Sequence, residues 1–478
     1  MERPLQGLLD APRSCREETD TVVIRTRTKR AFAGVAVGVA SALALSGCGG
    51  AGGAAGGGNA AGGSKSVNVI MVNNPQMVDL QKLAPEFTKE SGIKVNFTVL
   101  PENDARAKIS TSFTGQDGQY DVATLSNYEI PFYAKNGWVT DLSSSVGQSS
   151  GFDQSDILKP FTDALTVDGK LYGEPFYGES SFLMYRKDVL AKKNITMPAN
   201  PTWQQVADIA AKVDNAEPGM RGICLRGQPG WGQVFAPLTT VVNTFGGTWF
   251  EKDWTAKVDA PEFKKAVSFY VDLVRKHGEA GAPQAGFTEC LNDLSQSKVA
   301  MWYDATSAAG TLEADDSPVK GKLGYVNAPV TDTKSSGWLY SWAWAAQKAG
   351  KNQANAAKFI AWASSKKYEE LVGDKLGWSR VPAGKRQSTY DNPDYQKSAS
   401  AFAKPTLDAI TTVDANNPGV QPRPAPGVQF VAIPEFADMA TTVSQDVSAA
   451  IAGKQTVAQA LGAGQKTATS QVSDKYKK

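Results

Sequence analysis

The chain has 478 residues, of which 41% are hydrophobic and 21% charged, and a formal net charge of +2. This length supports two or three domains with real cores, and the composition excludes a chain that is disordered, collagen-like or coiled-coil throughout. The small net charge argues against a dedicated nucleic-acid-binding protein. The single histidine, His277, argues against histidine metal sites and Ser-His-Asp catalysis.

Residues 1–47 have the pattern of a secretory signal. A basic run at 25–30 precedes an apolar stretch at 31–45 that is too short for an ordinary membrane span. The Leu-Ser-Gly-Cys sequence that ends at Cys48 resembles a bacterial lipobox, which implies cleavage before Cys48 and lipidation of its thiol. The alternative is an ordinary signal with a chance cysteine.

The acidic residues within 1–24 are unusual for a signal, so we expect the true start near Val22 or Val23. Residues 48–65 contain the lipidated cysteine and a stretch rich in Gly and Ala, which is typical of a flexible tether. Removal of residues 1–47 takes away 7 basic and 5 acidic side chains and leaves 43 of each. The exported chain is therefore expected to be neutral and to meet the membrane through its lipid anchor alone.

The four cysteines fit an exported protein. Cys15 is lost with the signal and Cys48 is assigned to lipidation, which leaves Cys224 and Cys290. In an oxidising compartment these two are expected to form a disulfide. The alternative is two separate buried thiols.

The body of the chain alternates strand and helix patterns. Strands are predicted at 67–72, 95–99 and 120–125. Between them, one helix is predicted from apolar residues at helical spacing over 80–87 and ends at Gly92, and a second is predicted at 104–114. This β-α-β-α-β order predicts a parallel sheet with helices on both faces.

The second half continues the α/β pattern. Thr202 and Gln205 form a predicted capping box, 262–276 is an amphipathic helix, and 355–373 is helical. Strands are predicted at 298–303 and 337–346, and proline-rich loops occupy 418–434. The chain is too long for one sheet, so we predict two α/β lobes.

Several motifs in this body resemble a known family. They include Asn73-Asn74, Asn127-Tyr128-Glu129, Gly173-Glu174-Pro175-Phe176-Tyr177, Tyr185-Arg186-Lys187-Asp188 and Pro201-Thr202-Trp203. With the lipobox, they look like the extracellular solute-binding proteins of ABC importers, the family that includes maltose-binding proteins. The segments 222–232, 300–305, 338–342 and 427–436 resemble its mannitol- and sorbitol-binding members, although Cys290 lies upstream of the position where some of those members have their second cysteine.

The resemblance implies a two-lobed periplasmic-binding-protein-like fold of type II. Each lobe would be a mainly parallel sheet flanked by helices, with a hinge between the lobes. One lobe would take 66–176 and 338–380, and the other 177–337 and 381–478. The ligand would lie in the cleft at the strand ends, and hinge bending would close the lobes over it for delivery to the permease.

A polyol presents many hydroxyl groups on a short apolar chain, so it calls for carboxylates, amides, arginines and aromatic faces. The candidate ligand-binding residues are Asn74, Glu102, Asn103, Tyr128, Glu129, Glu179, Arg226, Trp231, Trp302, Asp304, Trp338, Tyr340 and Gln429. The alternative for each residue is a purely structural role, in a turn, at the surface or in the core. Trp338, Tyr340, Trp342 and Trp344 share one face of a strand, so some of these rings are expected in the core.

The sequence therefore predicts a lipid-anchored, extracytoplasmic, monomeric binding protein that delivers a sugar alcohol such as mannitol, sorbitol or arabitol to an ABC permease. No cofactor, metal or nucleic acid is expected. One alternative is a ligand that is a mono- or oligosaccharide. Another is a secreted carbohydrate-acting enzyme with Glu129 and Glu179 as its carboxylate pair.

Overall fold

The computed structural model describes residues 65–477. The predicted signal, the start site, Cys15, the lipidation site Cys48 and nearly all of the tether lie outside the described residues. Within residues 65–477, no helix is both long enough and apolar enough to cross a membrane.

Ten strands are present in the described part of the chain. Their bounds are β1 Ser66–Val72, β2 Lys94–Leu100, β3 Val122–Ser126, β4 Thr166–Val167, β5 Lys170–Leu171, β6 Glu174–Glu179, β7 Ser181–Arg186, β8 Met301–Ala305, β9 Leu323–Asn327 and β10 Tyr340–Ala346. The first three correspond to the predicted strands. Strands β1 and β3 are mostly buried apolar runs, whereas β2 is only partly buried.

The larger sheet has five strands in the order β2-β1-β3-β10-β6. Strands β1, β2 and β3 are parallel, as the β-α-β-α-β order predicts. Strand β10 enters from far along the chain and runs antiparallel to both β3 and β6. The carboxyl ends of β1, β2, β3 and β6 and the start of β10 therefore meet at one edge of the sheet.

The smaller sheet has three strands in the order β8-β7-β9, and both pairings are antiparallel. The expectation of a mainly parallel sheet in each lobe is therefore wrong for this sheet. Parallel neighbours occur beside it as isolated bridges, such as Cys224 with Trp302 and Thr202 with Val330. The expectation rested on the resemblance, whereas the direction of these strands is set by the pairing of β7 with β8 and β9, two strands that lie more than a hundred residues away in the sequence.

Helices flank both sheets, which gives two α/β lobes with a cleft between them. The helices are α1 Pro75–Ser91, α2 Glu102–Gly115, α3 Ile130–Lys135, α4 Lys159–Leu165, α5 Lys187–Lys192, α6 Trp203–Val213, α7 Phe235–Thr244, α8 Pro261–His277, α9 Phe287–Ser295, α10 Ala309–Leu312, α11 Gln353–Ala363, α12 Lys366–Leu376, α13 Gln387–Asp391, α14 Pro393–Ser398, α15 Ala403–Thr411, α16 Phe436–Ile451, α17 Val457–Ala468 and α18 Asp474–Tyr476. The assignment of whole chain segments to each lobe stays a prediction.

Local sequence signals account for several helix boundaries. The capping box of Thr202 and Gln205 is present at the start of α6, with both reciprocal hydrogen bonds. The predicted single helix at 355–373 is instead two helices, α11 and α12. The break occurs because Ser365 caps the second helix by accepting a hydrogen bond from the backbone of Tyr368.

Cys224 and Cys290 form a disulfide, with their Cα atoms 5.6 Å apart. Cys224 lies beside β8, through its bridge with Trp302, and Cys290 lies in α9. The bond therefore fastens α9 to the edge of the smaller sheet, directly behind the segment that carries Arg226.

Candidate functional site

A cavity lies in the cleft, where the strand ends of the larger sheet face the smaller sheet. Asn74 follows β1, Glu102 follows β2, Glu179 ends β6 and Tyr340 begins β10. The full set of side chains and backbone that lines it is Asn74, Glu102, Arg106, Glu179, Arg226, Gly232, Ala236, Phe287, Ala305, Ser307, Trp338, Tyr340, Trp342, Gln429 and Phe430. We call this space the inner cavity.

Arg226 is fixed by Asp304, a residue of β8. The guanidinium donates two hydrogen bonds to the carboxylate, at 2.7 Å from Nε and 2.5 Å from the terminal nitrogen, and a third at 3.0 Å to the carbonyl of Gly232. Asp304 also accepts from the indole of Trp302 at 3.1 Å and is fully buried. Burial acts to lower the pKa of Arg226, and Asp304 more than offsets it, so the pKa is raised. The arginine therefore presents a rigid, charged donor to the inner cavity.

Arg106 is held by three neighbours on its own side of the cleft. It donates to Glu102 at 3.0 Å, to Glu129 at 2.8 Å and to the Tyr340 hydroxyl at 2.6 Å. Burial acts to lower its pKa, and Tyr340, Glu129 and Glu102 more than offset this, so the pKa lies well above the ordinary value. The Glu129 carboxylate in turn accepts hydrogen bonds from the backbone N–H and the hydroxyl of Ser126. These bonds hold the carboxylate in the position where it binds Arg106.

The guanidinium of Arg106 is also sandwiched between two tryptophans. Its carbon lies 4.1 Å from the ring centre of Trp231 and 4.4 Å from that of Trp342. A cation over desolvated aromatic faces is stabilised by the ring quadrupoles. Trp342 belongs to β10 and Trp231 to the loop 226–232 on the other side of the cleft, so this stack joins the two sides.

Glu179 is a buried carboxyl group in the wall of the inner cavity. It accepts a hydrogen bond at 2.5 Å from the hydroxyl of Ser307, which follows β8. Burial raises the pKa of Glu179 to about 8, against the opposing effects of Ser307 and Arg226. At neutral pH this carboxyl is mostly protonated, so it can donate as well as accept a hydrogen bond.

Two buried polar atoms at the inner cavity have no hydrogen-bond partner among the described residues. They are the indole nitrogen of Trp338 and the amide oxygen of Gln429. Asn74 differs, because its amide donates to the Tyr177 hydroxyl at 2.8 Å. An unpaired buried donor or acceptor costs free energy, so these two groups are available to a ligand that carries both donors and acceptors.

Three of the four aromatic side chains on β10 and its approach line the inner cavity, namely Trp338, Tyr340 and Trp342. Trp344 is instead a core residue, packed on Phe176 and Phe359. As expected, some of these rings are at the cleft and one is in the core. Trp344 is the core residue because it lies farther along the strand from the cleft, where α11 covers the sheet.

Seven of the candidate residues line the inner cavity: Asn74, Glu102, Glu179, Arg226, Trp338, Tyr340 and Gln429. Trp302 and Asp304 lie behind Arg226 instead. Four others line a second and larger space, which we call the outer chamber: Asn103, Tyr128, Glu129 and Trp231. Glu129 and Glu179 thus face different spaces, unlike the carboxylate pair of a glycosidase, which flanks one bond.

Sequence reasoning missed Arg106, Ser307, Phe287, Trp342 and Phe430 as cavity residues. A usable signal existed for Arg106: it follows Glu102 by four residues and lies on the buried face of α2 with Ile109 and Phe113. The other four are brought to the cavity by long-range packing, which short motifs do not encode.

A cluster of possible metal ligands, formed by Cys224, Glu279 and Asp293, lies away from the inner cavity. Cys224 is disulfide-bonded, so it has no thiolate to offer a metal ion.

The sequence matches the family described as bacterial extracellular solute-binding protein over residues 74–370. It is 37% identical over 409 residues to the mannitol-binding protein of Pseudomonas aeruginosa, which covers 84% of this chain and 92% of that protein.

Two solved structures share the fold. An ABC transporter solute-binding protein from Agrobacterium vitis S4, with bound D-mannitol, is 44% identical with a TM-score of 0.83, over 85% of this chain and 97% of that chain. An ABC transporter solute-binding protein from Agrobacterium radiobacter K84, in complex with ribitol, is 22% identical with a TM-score of 0.74. The match covers 85% of this chain and 98% of that chain. The chain therefore belongs to the bacterial extracellular solute-binding protein family.

Proposed function

We propose that this protein is the substrate-binding component of an ABC importer and captures a sugar alcohol, of the mannitol, sorbitol or arabitol type, in the inner cavity. The observation that carries the proposal is the pairing of fixed polar groups with aromatic walls in one small space. Arg106, Arg226 and Glu179 supply oriented polar groups, while Trp338 and Gln429 each add an unpaired buried polar atom. The relationship to a mannitol-binding protein supports the same ligand class.

The charges around the inner cavity favour an uncharged ligand. Arg226 is paired with the Asp304 carboxylate, and Arg106 with the carboxylates of both Glu102 and Glu129. Neither guanidinium therefore presents an uncompensated positive charge to an anionic solute. Glu179 is mostly protonated at neutral pH and offers no full negative charge to a cation.

A polyol suits these groups because every hydroxyl can donate one hydrogen bond and accept others. The arginine forks donate to hydroxyl oxygens, and the Gln429 and Glu102 oxygens accept from hydroxyl hydrogens. The faces of Trp338 and Trp342 cover the C–H side of the carbon chain. A ligand that lacks one hydroxyl leaves a buried protein group unpaired, which gives the site its selectivity.

Capture is proposed to involve closure of two lobes, assigned to 66–176 with 338–380 and to 177–337 with 381–478. The single residue Ser180 between β6 and β7 supports a hinge there, because the chain passes from one sheet to the other at that point. Contacts across the cleft support a closed form that a permease can recognise. The Gln76 amide donates to the Ser307 carbonyl at 2.9 Å, and the Tyr128 hydroxyl to the Ile433 carbonyl at 2.8 Å.

The extracytoplasmic location follows from the family, and the lipid anchor is part of the proposal. We propose that the thiol of Cys48 carries the lipid and that the Gly- and Ala-rich segment to residue 65 tethers a monomeric binding domain to the membrane surface. Partition of the wild-type protein and a Cys48→Ala variant between membrane and soluble fractions tests this. Equal partition of the two contradicts the anchor.

A thermal-shift screen tests the ligand class. Purified protein is heated with hexitols, pentitols or common aldoses, because a ligand that binds the folded state raises the melting temperature. We expect sugar alcohols to raise it and aldoses to leave it unchanged. A shift with aldoses and none with any polyol contradicts the proposal and favours the saccharide-binding alternative. Turnover of a glycoside under the same conditions favours the enzyme alternative.

A further inference from the structure

Arg106 separates the two spaces of the cleft. It is the one side chain, among the residues that line these spaces, that belongs to the walls of both the inner cavity and the outer chamber. The outer chamber is much larger than the inner cavity. The Arg106 guanidinium therefore lies on the boundary between the inner cavity and the larger outer chamber, in the gap between the rings of Trp231 and Trp342.

This guanidinium is fixed in place on three sides. Glu102, Glu129 and Tyr340 accept its hydrogen bonds at 2.6–3.0 Å, and all five of its donor directions lie in one rigid plane. The tryptophan sandwich closes both faces of that plane, as described above. A group bound in this way does not swing aside at low cost, so it acts as a wall.

The loop 229–232 closes on this wall from the opposite side of the cleft. The amide of Asn103 donates to the carbonyl of Pro229 at 3.0 Å. A Cβ atom on Gly230 would lie 2.7 Å from the Asn103 side-chain oxygen, and one on Gly232 would lie 2.5 Å from a Glu102 oxygen and 3.1 Å from the Arg106 Nε. Glycine at these positions lets the loop reach α2, so Trp231 can cover Arg106.

The outer chamber has the chemistry of a sugar-ring site. Aromatic rings of Tyr128, Phe132, Trp138 and Trp231 line it, together with amide and hydroxyl side chains that include Asn136. Aromatic faces pack on the C–H side of a pyranose, and amides bind its hydroxyl groups.

We propose that Arg106 sets the upper length of the ligand: it confines binding to an unsubstituted alditol, and its removal joins the inner cavity to the outer chamber so that a glycosylated alditol is accepted. The proposal rests on the proposed function for the identity of the inner ligand. It adds a residue that determines specificity and a chamber for the extra ring.

The test compares D-mannitol with maltitol, a glucosyl hexitol, by isothermal titration calorimetry. Arg106→Ala alone leaves the Glu102 and Glu129 carboxylates without their counter-charge, which is destabilising. The double variant Arg106→Ala/Glu129→Gln removes one of these two charges, at the more buried residue, and is the principal variant. Arg186→Ala is the matched control, because Arg186 is also buried and paired with carboxylates but lies outside both spaces.

We expect the wild-type protein and the Arg186→Ala control to bind mannitol at least about tenfold more tightly than maltitol. The double variant should change this ratio by at least about tenfold in favour of maltitol. Circular dichroism melting curves establish that each variant is folded. A folded double variant with the wild-type ratio overturns the proposal, as does wild-type protein that binds the two ligands equally.

Failure of the proposed function has a different signature. Wild-type protein that binds no alditol contradicts the proposed function. The role of Arg106 as a barrier is then tested in the same proteins with glucose and maltose. If the double variant has the wild-type ratio of affinities for glucose and maltose, the proposed role of Arg106 is contradicted independently. A double variant that is folded and binds neither member of the pair also overturns it.

Discussion

The ion pair between Arg226 and Asp304 makes a strong prediction for the variant Asp304→Ala. Both side chains are buried, at 5% and 0% exposure, and two hydrogen bonds join them. Removal of the carboxylate leaves a buried guanidinium without its counter-charge. Breaking a buried pair in this way costs about 3–5 kcal/mol of unfolding free energy.

The same substitution should abolish ligand binding, because Arg226 then loses the partner that aims it at the inner cavity. The assay is urea denaturation followed by circular dichroism, combined with titration calorimetry against D-mannitol. The double variant Arg226→Met/Asp304→Leu removes both charges and should regain at least about half of the lost stability without regaining ligand. This variant separates the stability of the pair from its role in binding.

Two results would refute this reasoning. If Asp304→Ala unfolds at the same urea concentration as the wild-type protein, the pair is not the buried, desolvated contact described above. If Arg226→Met/Asp304→Leu binds mannitol as tightly as the wild-type protein, Arg226 does not contact the ligand.

Three further predictions concern closure, pH and the disulfide. In calorimetry, Gly232→Ala should weaken mannitol binding at least about tenfold with little change in the melting temperature of the unliganded protein. The added Cβ would lie 2.5 Å from a Glu102 oxygen across the cleft. Unchanged affinity contradicts the close approach of this backbone to Glu102. Burial raises the pKa of Glu174 from 4.5 to about 8, so the free energy of unfolding should fall as pH rises from about 4.5 to 8. In urea unfolding, Glu174→Gln should reduce that fall by about 1.4 kcal/mol or more. Parallel pH profiles of the variant and the wild type contradict this prediction. Cys224→Ser/Cys290→Ser should lower the unfolding free energy by about 4 kcal/mol, as loop-closure entropy predicts for a separation of 66 residues; equal stability of the oxidised wild type and the variant contradicts a structural role.

Local patterns sufficed for much of the fold. Apolar runs located β1, β2 and β3, and the residue pair Thr202 and Gln205 marked the start of α6. The antiparallel arrangement of the smaller sheet could not be obtained in this way, because strand direction there depends on which distant segments pair. Strand β7 pairs with β8 and β9, which lie more than a hundred residues away in the sequence.

The candidate site was predicted in part for a physical reason. Residues that follow parallel strands, such as Asn74 and Glu102, reach the cleft because the sheet edge brings strand ends together. Asp304 belongs to β8 of the smaller sheet and lies behind Arg226, where its carboxylate neutralises the arginine. Arg106 lies one turn inside α2 and not directly after a strand, so the strand-end rule does not reach it, although an arginine on the buried face of a helix is unusual.

A crystal structure of the protein with D-mannitol tests the central claim most directly. We predict density for the alditol in the inner cavity, within hydrogen-bond distance of Arg226 and Glu179, with a tryptophan face against its carbon chain. Unoccupied inner-cavity density in crystals that hold the ligand elsewhere, including in the outer chamber, would contradict the account.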